Sequence, residues 1–319
     1  MKHKLILVFL LFSMELYAKD KLKIGVLAYG TVNWELNVLK HNNLDKKNGF
    51  DLEIVKLASK NASSVALQAN SVDIIVTDWI WVNNQRASGK DFTFYPYSKA
   101  TGTIYVDSKS AIRNLMDLKD KNLGIAGGPY NKTWLLLRAY SKNKYNQDLN
   151  DIVNPIYASA PIIYKKMLSN SFAATINFWH FNAKLKAKGK KALLEIDEVL
   201  NFLGVSNDIS FVGWTFNRKK ALKNEKLINS FLKASKESKD LLLNSDAEWE
   251  RIKPIMGLNE ANSFNSLVNG YRNGIIKDFN QKNIDDSKKI FKILKDEGGP
   301  KFVGSADKLY EKTFWKMKK

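Results

Sequence analysis

Five short apolar runs in this chain each stop at a turn of small, polar or aromatic residues, and an amphipathic helical pattern starts directly after each turn. Strands that alternate with helices predict parallel sheets, because parallel neighbours need a crossover connection. Open parallel sheets collect ligands at the carboxyl ends of their strands. Those ends carry aromatic and small polar side chains here, which is typical of a binding cleft. The runs are residues 23–27, 52–57, 72–76, 122–126 and 172–176.

The first residues have the parts of a secretory signal peptide, predicted over 1–18. Lys2 and Lys4 are basic, residues 5–12 are an unbroken apolar run, and Ala18 is a small residue before the mature start. Eight apolar residues are too few to cross a bilayer, which needs about twenty. The chain has no cysteine, so no lipid can be attached to an N-terminal one. We expect a periplasmic protein without a lipid anchor.

Composition excludes several classes of function. The formal net charge is +19, but the lysines are scattered and form no stripe with interleaved aromatic residues, so we expect a solvated basic surface and no nucleic-acid partner. Beyond residue 18 the chain keeps His41 and His180, and it has neither a zinc-protease motif nor a serine nucleophile elbow. We therefore expect no enzyme, no metal and no cofactor.

Two extended segments, 101–106 and 211–216, set a middle unit apart from the rest of the chain. They predict two α/β lobes joined by two extended hinge crossings, with lobe I at 19–102 plus 216–319 and lobe II at 103–215. The pattern from residue 219 onward is nearly all helical. Lobes joined by paired strands can rotate and close on a solute.

The glycine pair after the fourth run is the sharpest candidate contact. Glycines let a backbone approach a ligand closely, and the free amides at a following helix start attract negative charge. The alternative is an ordinary strand-to-helix turn. The candidates in this turn are Gly127, Gly128, Tyr130, Thr133 and Trp134.

The turn Thr77-Asp78-Trp79 follows the third run. Asp78 has two open interpretations: it caps the next helix, or its carboxylate holds a ligand amine. Six of the eight tryptophans lie at strand ends or crossings, and we expect some of them to stack on a ligand, each pair adding roughly 0.5–1.5 kcal/mol. The six are Trp34, Trp79, Trp81, Trp134, Trp179 and Trp214. Further candidates at strand ends are Tyr29, Thr31, Asn33, Asn61 and Asn177.

Four motifs carry a resemblance to a known family: Lys-Ile-Gly-Val-Leu, Val-Asp-Ile-Ile-Val-Thr-Asp-Trp, Leu-Gly-Ile-Ala-Gly-Gly-Pro and Ala-Ala-Thr-Ile-Asn-Phe-Trp. The chain resembles periplasmic solute-binding proteins of ABC importers, of the nitrate/sulfonate/taurine, SsuA/THI5-like type. The resemblance implies the type II periplasmic-binding-protein fold and a monomer that delivers a small solute to an ABC permease in the inner membrane. It also implies ligand contacts at the turns 77–79 and 127–133.

The aromatic residues and Asp78 depart from what a simple anion such as nitrate needs. They favour an organic solute with a flat or cationic part, either sulfonate- or taurine-like or a pyrimidine-like heterocycle, because a cation gains from an aromatic face. Two alternatives stay open. One is an enzyme of the pyrimidine-precursor-synthase kind, which shares this fold but is expected to carry a cysteine motif. The other is a sensory protein that docks to a receptor.

Overall fold

The computed structural model describes residues 20–258 and 261–317. The predicted signal peptide at 1–18 lies outside them. The strands of the described part are β1 (Asp20–Leu27), β2 (Phe50–Leu57), β3 (Ile74–Asp78), β4 (Phe92–Ser98), β5 (Ile104–Asp107), β6 (Asn122–Ala126), β7 (Asn154–Ala158), β8 (Ala174–Ile176), β9 (Lys190–Leu194) and β10 (Val212–Asn217).

Helices follow most of these strands. They are α1 (Val32–His41), α2 (Leu44–Lys47), α3 (Lys60–Gln68), α4 (Trp79–Ala87), α5 (Lys132–Tyr145), α6 (Leu149–Ile152), α7 (Ala160–Leu168), α8 (Trp179–Ala187), α9 (Ile196–Phe202), α10 (Arg218–Lys223), α11 (Glu225–Asn244), α12 (Asp246–Ile252), α13 (Ala261–Asn273), α14 (Gln281–Gly298) and α15 (Pro300–Val303). Short 3-10 turns lie at Leu115–Leu118, Lys253–Met256 and Glu311–Thr313.

The strands form two sheets with the same plan. The first sheet has the order β2-β1-β3-β10-β4, and the second has the order β7-β6-β8-β5-β9. In the first sheet β1 runs parallel to β2 and β3, and β10 runs antiparallel to β3 and β4. In the second sheet β6 runs parallel to β7 and β8, and β5 runs antiparallel to β8 and β9. The prediction of two α/β units is confirmed.

Most of the predicted strands are present within a few residues of their expected bounds. Strand β9 was not predicted, because its residues 190–194 begin with two lysines and read as a solvated face. It lies at the edge of the second sheet, where lysines are common.

The two predicted crossings connect the sheets. The first runs from the end of β4 to β5, and the second returns the chain to β10, which pairs along its length in the first sheet. The division into lobes I and II stays a prediction.

The C-terminal helices contact both units. In α13, a side chain at Gly270 would meet the ring of Trp179 in α8 at 2.9 Å. In α14, Glu297 accepts from Lys142 of α5 at 2.9 Å. The segment after α14 returns to the first sheet, where the Trp315 N–H donates to the Phe94 carbonyl at 2.8 Å. This helical connection was not predicted.

Among the described residues, no helix combines the length and the apolar character that a membrane crossing requires.

Candidate functional site

Three helices begin at the carboxyl ends of β2, β3 and β6, and one charged side chain from the start of each meets the others. Asp78 ends β3, Lys60 is the first residue of α3, and Lys132 is the first residue of α5. The Asp78 Oδ2 atom accepts from Lys60 Nζ at 2.9 Å and lies 3.2 Å from Lys132 Nζ. We call these three residues the charged trio. Because α5 follows a strand of the second sheet, the trio joins the two units.

In the charged trio, burial and the neighbouring charges shift the pKa values in opposite directions. Burial alone would raise the pKa of Asp78, but Lys132, Lys60 and the Trp81 N–H outweigh it and hold that pKa far below its ordinary value. Burial lowers the pKa of Lys132, and Asp78 partly offsets this. Asp78 raises the pKa of Lys60, whose side chain keeps 63% of its exposure. With all three ionised, the trio has a formal charge of +1.

Asp78 caps α4, which is one of the two roles that the sequence left open. Its Oδ1 atom accepts from the Trp81 N–H at 2.8 Å, in the position that Asp commonly takes at a helix start. Since Oδ2 faces both lysines, both carboxylate oxygens already have partners in the structure.

The glycine turn after β6 takes a backbone that other residues avoid. Gly127 has φ +83° and Gly128 has φ +100°, in the left-handed region. Asn131 then caps α5 by accepting from the Trp134 N–H at 3.1 Å, while its amide donates to the Ala126 carbonyl at 2.8 Å. The turn is thereby fixed, with Lys132 placed directly after the cap.

Four of the expected aromatic contacts are core residues, and this corrects the prediction of a cleft lined by indoles. They are between 0 and 4% exposed and pack against other large side chains: Trp34, Trp79, Trp134 and Trp214. Trp79, for example, stacks on Phe211 at 6.4 Å between ring centroids. These side chains point into the core because burying a large aromatic ring is favourable, and their position at a strand end did not outweigh this.

The other two tryptophans are only partly buried. Trp179 meets the edge of Trp34 at 6.4 Å, and Trp81 packs against Phe92 at 5.5 Å.

Several predicted polar contacts hold the turns in place. Asn33 donates to the Leu27 carbonyl at 3.0 Å, and Asn177 donates to the Ala160 carbonyl at 3.0 Å. Thr133 donates to the Gly102 carbonyl at 2.9 Å, and Thr77 is buried. These side chains support the shape of the strand ends. Within the described part of the chain, Thr31 and Asn61 make no such bond, and Asn61 is exposed.

Four aromatic side chains at strand ends are exposed. Tyr29 follows β1, Tyr130 follows β6, Phe178 follows β8, and Tyr157 lies near the end of β7. The tip of the Phe178 ring lies 3.6 Å from where a side chain on Gly127 would begin. All of these rings except that of Tyr29 therefore lie at strand ends of the second sheet.

Comparison with known proteins identifies the family. A sequence model described as NMT1/THI5 like matches residues 32–248, which is more than half of the chain. The chain belongs to the NMT1/THI5-like family. A comparison with curated protein sequences finds no match.

Solved structures show which fold this NMT1/THI5-like protein has. It is similar to the periplasmic aliphatic sulphonate binding protein SsuA from Escherichia coli, with TM-score 0.71 and 19% identity over 94% of this chain and 95% of that one. It is also similar to the alkanesulfonate-binding protein SsuA from Xanthomonas axonopodis pv. citri bound to MOPS, with TM-score 0.69 and 18% identity over 93% and 98%. The desulfurization enzyme DSZB matches with TM-score 0.60 and 11% identity over 90% and 99%. The expected periplasmic-binding-protein fold is confirmed.

Sequence reasoning missed four side chains at the strand ends of this NMT1/THI5-like protein. Lys132 lies within the expected turn 127–133 but was not named as a contact, and Lys60 was not singled out, because lysine is abundant throughout the chain. Phe178 and Tyr157 were not singled out, because the prediction of aromatic contacts rested mainly on the positions of the tryptophans. A usable signal was present for the lysines, since each is the first residue of a helix that follows a parallel strand.

His180, near the second sheet, is not charged at neutral pH. Burial lowers the pKa of His180 to about 4, and Lys184 adds to the effect. Across the described ranges, no group of three potential metal ligands comes together.

Proposed function

We propose that this chain is a periplasmic solute-binding protein that captures a small organic anion between its two α/β units. One observation carries the proposal: Lys60 and Lys132 converge from the two units on a single carboxylate, which leaves an excess positive charge where the sheets meet.

The lysines retain hydrogen-bonding capacity for a solute. Each ammonium group has more N–H donors than its one contact with Asp78 uses. In residues 20–258 and 261–317, neither Lys60 nor Lys132 has another hydrogen-bonded or ion-paired acceptor. The starts of α3 and α5 add a favourable field for an anion, roughly 0.3–1 kcal/mol for each helix start.

The exposed aromatic rings favour an organic solute over an inorganic ion. Tyr29 and Phe178 leave apolar area in water near the strand ends, where a solute's carbon skeleton would cover it. One relative of the same fold is bound to MOPS, which is an organic sulfonate. We therefore propose a sulfonate- or taurine-like solute. The charged trio makes a neutral pyrimidine less suitable, since it offers no group for two ammonium ions.

We infer that the protein binds its solute without chemistry. Two ammonium groups hold Asp78 in its ionised form, so it is a poor proton acceptor. His180 stays neutral and has no carboxylate partner in the described residues. The second candidate is catalysis, and the observation that favours it is the shared fold with a desulfurization enzyme.

The remaining parts of the proposal concern location and partners. The signal-peptide pattern at 1–18 supports export to the periplasm. We propose a monomer that delivers its solute to an ABC permease in the inner membrane.

A binding screen tests this function. Purified protein is heated with taurine, ethanesulfonate, MOPS, nitrate and a pyrimidine, and the unfolding temperature is measured, since a ligand of the native state raises it. We expect at least one organic sulfonate to raise it and nitrate to have no effect. Folded protein that responds to none of these compounds would contradict the proposal, and so would release of a chemically altered product.

A matched pair of variants locates the site. Lys132→Gln removes the charge and shortens the side chain by one atom, and we expect it to weaken sulfonate binding about tenfold or more, as loss of a charged hydrogen bond does. Lys292→Gln makes the same change on an exposed face of α14 and should leave the affinity unchanged. Equal sulfonate affinity in the two variants would show that Lys132 is not part of the binding site.

A further inference from the structure

We propose that Asp78 is an internal counter-ion: it holds Lys60 and Lys132 of the two units together, and it competes with the solute's acid group for them. This inference rests on the proposed function and adds a specificity-determining residue to it.

The position of one oxygen atom carries the inference. Asp78 Oδ2 lies 2.9 Å from Lys60 Nζ and 3.2 Å from Lys132 Nζ, so it bridges the two ammonium groups. A solute oxygen that bridges the same two ammonium groups would lie close to this carboxylate oxygen, and like charges at such a distance oppose each other. Asp78 therefore competes with the solute for the charge of the two lysines and reduces the affinity for the solute.

Helix capping alone does not explain a carboxylate here. The cap uses only Oδ1, and Asn or Ser would cap the helix about as well. A buried charge is costly unless it is paired. The charge on Asp78 therefore has a role at the lysines rather than at the start of α4.

The same contact joins the two units. Asp78 and Lys60 follow strands of the first sheet, whereas Lys132 follows a strand of the second. A second contact lies on the same side of the molecule: Tyr130, in the turn before α5, stacks on Phe302 of α15 with ring centroids 6.0 Å apart. Helix α15 is held to the first unit by Asn84, which donates to the Phe302 carbonyl at 3.2 Å.

The alternative role for Asp78 is a direct contact with a solute ammonium group. A carboxylate can accept about four hydrogen bonds, and Oδ1 accepts only from the Trp81 N–H among the described residues, so an ammonium group could still reach it. That group would lie close to the two ammonium groups on Oδ2, and their like charges oppose its binding. The internal counter-ion involves no such repulsion.

Asp78→Asn tests the inference, because Asn keeps the cap and removes the charge. Taurine and ethanesulfonate are the ligands, since they share a sulfonate on a two-carbon chain and differ in the ammonium group. Calorimetric titration should show ethanesulfonate binding about tenfold tighter to the variant, within the usual range for coupled sites. Taurine should bind at least as tightly as to the wild type. Selective loss of taurine binding would overturn the inference and make Asp78 an ammonium contact.

The distance between the units gives a readout that needs no solute. The chain has no native cysteine, so spin labels attach only at Val65→Cys on α3 and Ile162→Cys on α7, both exposed positions. We expect one short distance in the ligand-free parent and a longer or broader distribution in Asp78→Asn. Asp296→Asn on α14, which removes the same charge from an exposed pair, should match the parent.

The two readouts separate failure of the inference from failure of the proposed function. An unchanged distance in Asp78→Asn overturns the inference even if sulfonates bind. If no sulfonate binds the parent, the proposed function fails, and a distance that lengthens in Asp78→Asn still supports Asp78 as the ion that holds the units together.

Discussion

Two ion clusters in this protein differ in how completely their charges are satisfied. Inside the helices of the first unit, Glu35 accepts from Lys239 at 2.6 Å, from Ser235 at 2.6 Å and from Tyr271 at 3.1 Å. Lys239 also lies 4.2 Å from the centre of the Tyr97 ring. The cluster has one charge of each sign and is buried.

The charged trio has the opposite character. It has two ammonium groups for one carboxylate, and the Lys60 side chain is largely exposed. Balanced and saturated charges hold helices together, whereas unbalanced charges with spare donors are available to a ligand. This difference distinguishes an ion cluster that stabilises the fold from one that we propose binds the solute.

The largest expected effect comes from breaking the saturated cluster. Lys239→Met leaves Glu35 buried without its counter-charge, which should lower the free energy of unfolding by about 3–5 kcal/mol. Urea denaturation measures it. Replacing both partners, as Glu35→Gln with Lys239→Met, should recover part of the loss. A single variant as stable as the wild type would show that the pair contributes nothing.

A partly buried group that has no opposite charge beside it in the described part of the chain extends the comparison to the effect of pH on stability. His180 has a folded pKa of about 4, below its ordinary value of about 6.5, so the unfolded chain binds the proton first. Stability from this group is complete above pH 6.5 and is lost as the pH falls toward 4. The loss should be about 3 kcal/mol.

His180→Gln isolates this contribution from the carboxylates that titrate in the same range. The difference between the wild-type and variant curves of unfolding free energy against pH should slope between about pH 6.5 and 4 and be flat above it. A flat difference throughout would show that His180 titrates normally.

The next effect separates the cap from the charge at Asp78. Asp78→Ala removes both and Asp78→Asn removes only the charge, so the alanine variant should be less stable by about 1 kcal/mol. Thermal unfolding of the two variants measures the difference. Equal stability of the two variants would mean that the hydrogen bond from the Trp81 N–H to residue 78 contributes nothing measurable to stability.

The smallest expected effect on stability is at Lys60. Because its side chain is mostly exposed, Lys60→Gln should change the free energy of unfolding by no more than about 0.5 kcal/mol. The same variant should weaken sulfonate binding clearly in a titration. A loss of stability as large as that of Lys239→Met would place Lys60 with the saturated cluster.

Local patterns predicted the strands and turns but not which side chains meet there. The runs at 52–57 and 122–126 match β2 and β6, because the apolar pattern and the flanking turns are properties of the sequence itself. The turns around Asp78 and Gly127 were found for the same reason. Whether Trp79 points into the core or into the cleft depends on Phe211 and Phe314, which lie far away in the sequence.

The charged trio needed the arrangement of both sheets. Lys60 and Lys132 are more than seventy residues apart in the sequence and meet only because their helices start at facing sheet edges. The C-terminal contacts with both units escaped for a similar reason, since a helical pattern does not say which neighbour its apolar face covers.

Calorimetric titration of the double variant Lys60→Gln/Lys132→Gln tests the central claim most directly. With ethanesulfonate as the ligand, the wild type should bind measurably and the double variant should not, while both unfold cooperatively. A double variant that binds with wild-type affinity would contradict the claim that these two lysines hold the solute's acid group between the units.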